Sequence, residues 1–138
     1  MSYPELLSQW RECVSTAFPC LSQPQATVLA LWSYGMVVAR SCGITLVRAT
    51  LALQLECSEA CLVQRLREWC YGAKDKRGDK RQEVDVSTCF APLVHWILSL
   101  WPADEPRLVL ALDASTLKKR FTVLCIGVVY RGCAIPVA

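Results

Sequence analysis

Asp113 is the one acid in a long apolar stretch, following the run "LVLAL" at 108–112 and preceding "ASTLKKR". A carboxylate at the carboxyl end of a buried central strand is held by rigid structure, and its oxygens are preferred ligands of hard divalent ions such as Mg²⁺. Two such ions about 3.5–4 Å apart can activate a nucleophile and stabilise the leaving oxygen of a phosphodiester, but only where several carboxylates converge. One aspartate is not a site. The plainer alternative is that Asp113 opens a turn through "DASTLKKR" and accepts the backbone amides of Ser115 or Thr116.

Thiols and imidazole offer a second chemistry. Cys57 and Cys61 lie one helical turn apart, with Cys70 and a lone His95 further along, but no CxxC pair accompanies them. The nine cysteines are odd in number and fall inside apolar periodic segments, and the first residues do not read as a signal peptide. Reduced thiols packed as small hydrophobes are therefore expected, in place of a disulfide scaffold or a zinc site. His95 stands among Val94, Trp96 and Ile97, which points to a hydrogen-bonded core histidine.

The third candidate chemistry is phosphate contact. The stretch "EACLVQRLREWC" sets Leu62, Leu66 and Trp69 on one side and carries Arg65 and Arg67 elsewhere, the pattern of an amphipathic helix with a basic face. Joined to the preceding helix by "ECSE", it is compatible with helix-turn-helix DNA binding, or with an ordinary solvated helix. The segment "AKDKRGDKRQEVD" at 73–85 holds five bases and four acids. It reads as an exposed loop in which Lys76, Arg77, Lys80 and Arg81 can meet phosphates. Lys118, Lys119 and Arg120 form a further basic group.

These residues need a scaffold, and the composition supplies one. With 138 residues, 54% hydrophobic and 20% charged, the chain is long enough for one domain with a core and too apolar to be disordered. The net charge of +3 permits nucleic-acid binding without requiring it. Apolar spacings of three and four predict a helix from Pro4 to Ala17, broken by Phe18, Pro19 and Pro24. Gln25–Arg40 reads as a central helix stopped by Ser41, Cys42 and Gly43, and Thr45–Leu55 as a third. Ser58 is the expected N-cap of the arginine-bearing helix, with its side chain bonding a first-turn amide. "STCFAPLVHWILSLW" predicts another apolar helix, with Ser87 as a cap and Pro92 in its first turn or kinking it. The longest uncharged apolar segment, Ala26–Ala39, is shorter than the ~20 residues that span a bilayer. No membrane association is expected, and a cytoplasmic location is.

After "PADEPR" the period changes. "LVLAL" reads as a strand buried on both faces, "FTVLCIGVVY" as a second strand, "RG" as a tight turn and "CAIPVA" as a third strand. The expected class is α+β: an all-α helical region over 1–101, then a β-meander over 107–138.

The stretch from Leu108 to Ala138 resembles the opening of the catalytic domain of DDE transposases from bacterial insertion sequences of the IS-four-like group. The residues that carry the likeness are Asp113-Ala114-Ser115-Thr116, then Tyr130-Arg131-Gly132, then Ala134-Ile135-Pro136. "CLVQRLREWC" looks, more loosely, like the helical segment that precedes that domain. The resemblance implies a ribonuclease-H-like α/β fold, incomplete here, and DNA cleavage and strand transfer with Mg²⁺ held by two Asp and one Glu. Asp113 matches the first of those acids, and no residue of this chain matches the other two. The reading that follows is an insertion-sequence transposase, truncated early in its catalytic domain, that binds the DNA ends of its element and is inactive alone. Two other readings stay open. One is a non-catalytic DNA-binding regulator of transposition; the other is a subunit completed by self-association or by a separate C-terminal chain.

Overall fold

A computed structural model of the chain describes residues 3–78, 82–117 and 120–138. Among these residues five helices are followed by three strands, so the protein is mixed α+β. The helices are α1 (Tyr3–Ala17), α2 (Gln23–Ala39), α3 (Ile44–Leu55), α4 (Glu59–Trp69) and α5 (Phe90–Ser99), with 3-10 turns at Ala73–Asp75 and Val86–Cys89. The strands are β1 (Leu110–Leu117), β2 (Phe121–Tyr130) and β3 (Cys133–Pro136). The chain forms two compact units, Met1–Asp85 and Val86–Ala138. The "PADEPR" linker lies inside the second unit, between α5 and β1.

In the first unit each of four helices contributes to one core: Leu7 from α1, Leu31 from α2, Val47 and Leu51 from α3, Leu62 and Leu66 from α4. Burying a side chain of this size is worth roughly 1.5–3 kcal/mol. Gly35 lets α2 and α3 come together, because a β carbon at that position would fall 2.7 Å from Val47 Cγ1. Three indoles tie the helices: Trp10 donates to Ser33 Oγ at 2.7 Å, Trp32 to the Leu66 carbonyl at 3.0 Å, and Trp69 to the Gln25 carbonyl at 2.9 Å.

The helix ends differ from the sequence expectation in detail. Pro24 sits in the first turn of α2, where its missing N–H costs nothing, so it begins a helix and breaks none. Arg40 ends α2 in the left-handed conformation at φ 49°, while Gly43 has φ −73° and caps the start of α3. Glu56 ends α3 in the same left-handed way, at φ 50°. Ser58 does occupy the N-cap of α4, but its side chain makes no capping hydrogen bond.

In the second unit Pro92 is the third residue of α5, within the first turn. The helix has no fully buried residue. His95 is exposed and not a core histidine, because its helical position lies away from the half-buried Leu93, Val94, Trp96 and Ile97. Trp101 packs on Tyr130 with ring centroids 5.4 Å apart, and its indole donates to the Glu105 carbonyl at 3.1 Å.

The strands form an antiparallel meander in the order β1-β2-β3. Arg131 and Gly132 both have positive φ, 48° and 81°, as a two-residue primed hairpin turn requires. The expectation that β1 is buried on both faces does not hold. Leu110 and Leu112 are 57% and 67% exposed, because β1 pairs with β2 alone among the described residues and its side chains alternate between two faces.

The cysteines also depart from expectation. None of the nine is in a disulfide; seven are exposed, Cys89 and Cys125 are half-buried, and none is in the core. Helical periodicity places Cys13 and Cys61 beside the buried Val14 and Leu62, but pointing off the core stripe. Among the described residues no single helix is long and apolar enough to cross a membrane. The α2–α3 pair has the apolar length jointly, but bends by 96° between the two helices, which bury Leu31, Val47 and Leu51 in the core.

Candidate functional site

Asp113 lies in the middle of β1 and not at its carboxyl end. It stands opposite Cys125 in the register, and pairing continues through Ser115↔Val123 and Thr116↔Thr122 to Leu117↔Phe121. The stretch "ASTL" therefore extends the strand where the sequence suggested a turn. Threonine favours this extended conformation, and the ladder to β2 satisfies the backbone that a turn would have satisfied locally. Asp113 is exposed, and Ser115 Oγ donates to its Oδ2 at 3.3 Å; the proposed capping by the Ser115 or Thr116 amides is replaced by this hydroxyl contact.

A carboxylate alone on a sheet face does not hold a divalent ion. Among the described residues no three His, Cys, Asp or Glu side chains converge in a way that could ligate a metal. Among the described residues, then, Asp113 is not joined by the further ligands that a Mg²⁺ site needs.

The basic residues are placed more productively. Leu62 and Leu66 bury one side of α4, and Glu59 at its start pairs with Arg48 of α3 at 3.3 Å. Arg65 and Arg67 are both exposed, but they do not share a face. Residues two apart on a helix point in nearly opposite directions, so the single basic face expected from the sequence divides in two. Arg65 lines a concavity with the first turn of α2, including Ser22, Pro24 and Gln25. Arg67 lines another, with Arg48 of α3, Tyr71 and Asp75.

Lys76 and Arg77 follow the 3-10 turn Ala73–Asp75. Lys76 Nζ donates to the Gln82 carbonyl at 2.5 Å, and Arg77 is exposed and borders both concavities. Sequence reading found these four residues but not Trp69 and Gln25, which bring α4 and α2 together; no local signal links positions 44 residues apart. Arg120 is exposed beside the start of β2. Lys80, Arg81, Lys118 and Lys119 lie outside the described residues.

Compared with protein-family models, curated proteins and solved structures, the chain matches none.

Proposed function

We propose that this protein is a DNA-binding chain of the insertion-sequence transposase type, comprising a helical DNA-binding or assembly region and the first strands of a ribonuclease-H-like nuclease domain. The observation that carries the reading is the order of the motif residues on the meander. Asp113-Ala114-Ser115-Thr116 occupy β1, Tyr130-Arg131-Gly132 make the β2–β3 turn, and Ala134-Ile135-Pro136 run along β3. Arg65, Arg67, Lys76 and Arg77, exposed or half-buried on the first unit, supply charge for phosphates.

In this reading the chain binds DNA, at the ends of its element, and does not cut it. Asp113 contributes one carboxylate, and metal-assisted phosphodiester chemistry needs several. The alternative of a subunit completed by another chain, a second copy or a separate C-terminal polypeptide, draws on the exposed leucines of β1. The test is to mix the purified chain with labelled duplex DNA in Mg²⁺ or Mn²⁺, measuring retention and nicking together. Salt-sensitive retention without nicking is expected. Nicking that Asp113→Ala abolishes would show an active enzyme, and absence of retention at low salt would remove the DNA reading.

A further inference from the structure

One concavity on the first unit gathers positive charge from separate parts of the chain. It lies where the first turn of α2, the flank of α4 and the segment after Ala73–Asp75 meet, and encloses about 230 Å³. Among the described residues Arg65, Lys76 and Arg77 line it, against one acid, Glu68. That acid is engaged on its own helix, where Gln64 Nε2 donates to Glu68 Oε1 at 2.9 Å. Neither Arg65 nor Arg77 forms an ion pair among the described residues.

The walls are fixed independently of any ligand. Trp69 Nε1 donates to the Gln25 carbonyl at 2.9 Å, Gln25 Nε2 to the Glu83 carbonyl at 3.1 Å, and Lys76 Nζ to the Gln82 carbonyl at 2.5 Å. These bonds tie α4 to α2, α2 to the 82–83 segment, and that segment to Lys76. The positive groups are thus brought to a formed notch. The first turn of α2 carries no acid, so nothing there offsets the positive end of the helix dipole.

We infer that this notch seats a single backbone phosphate of duplex DNA, held jointly by Arg65 and Arg77 with Lys76 at its edge. The inference rests on the DNA-binding reading and adds to it a defined contact, from which Arg67 is excluded. Guanidinium groups suit this task because their fork of donors matches phosphate oxygens.

The experiment uses the full chain, a short duplex, and inorganic phosphate as a separate probe. The indole N–H resonance of Trp69, assigned through Trp69→Phe, reports on the notch, and the salt dependence of duplex binding counts phosphates. The duplex should shift that resonance, and Arg65→Gln and Arg77→Gln should each weaken binding, while Arg67→Gln leaves the shift intact. Since both arginines hold one phosphate, the double variant should lower the slope of log K against log salt by no more than about 0.9, where two separate contacts would remove about 1.8. Duplex binding that leaves Trp69 unmoved, or is indifferent to Arg65 and Arg77, overturns the notch while sparing the DNA reading. Phosphate that shifts Trp69 without any duplex binding overturns the nucleic-acid source of the phosphate and the DNA reading together.

Discussion

Gly35 of α2 faces Val47 of α3 so closely that a side chain on the glycine would meet Val47 Cγ1 at 2.7 Å and Leu51 Cδ1 at 2.9 Å. Replacing a mid-helix glycine by alanine ordinarily gains about 1 kcal/mol of helix propensity. Here overpacking of about 1–3 kcal/mol opposes that gain. Gly35→Ala is therefore expected to lower the urea midpoint, and to do so less when Val47→Ala has first made room. A more stable Gly35→Ala protein would show that the two helices do not meet at this glycine.

The Trp32 indole reaches the Leu66 carbonyl, one of the last four of α4, while the Cys70 amide bonds to the Arg67 carbonyl and the Tyr71 amide to the Glu68 carbonyl. Helix ends leave such carbonyls to be satisfied from outside. Trp32→Phe should cost about 1–2 kcal/mol in chemical denaturation beyond any loss of packing. Trp10→Phe should cost less, because its partner, the Ser33 hydroxyl, keeps its own bond to the Leu29 carbonyl at 2.8 Å. Equal losses for the two variants would count against a special role for the α4 carbonyl.

Burial first, and the neighbouring Tyr3 second, push the Tyr34 hydroxyl above its ordinary value of 10.0, and its oxygen is buried without a hydrogen-bond partner among the described residues. A raised folded value means that the unfolded chain ionises first. The stabilisation from neutral Tyr34 is complete below pH 10.0 and is lost as pH rises through the folded value. Stability measured from pH 8 to pH 11 should fall less steeply for Tyr34→Phe than for the parent chain. Superimposable profiles would contradict this placement of the hydroxyl.

Leu110 and Leu112 alternate with Ala111 and Asp113, so one face of β1 is leucine-rich and strongly exposed. Exposed apolar sheet with an unpaired edge promotes self-association. Leu112→Lys is expected to reduce concentration-dependent sedimentation. Ser115→Lys, which adds the same charge on the other face of the strand, should reduce it less. Identical behaviour of the two variants would assign the effect to net charge.

The helical half of the fold was legible because α1 and α4 carry apolar stripes and α2 and α3 are apolar runs of helical length, and the hairpin because Arg131-Gly132 is a local turn signal. Asp113 was misplaced for a non-local reason. "ASTL" has the composition of a turn, and only pairing with Phe121–Leu124 makes it strand. The division between Arg65 and Arg67 was available from their spacing, since two positions along a helix turn a side chain through about 200°. Their surroundings were not, because the α2–α4 contact depends on a tryptophan and a carbonyl 44 residues apart. Nor did apolar neighbours in sequence place the cysteines, since adjacent helical positions point in different directions.

The placement of the cysteines carries a practical consequence. Because none of the nine lies in the core, the fold draws little of its packing from sulfur. Serine can replace most of them at small cost, leaving a background into which single cysteines may be returned as attachment points for spectroscopic labels. Cys70, next to Trp69 at the end of α4, would place such a label one residue from the notch.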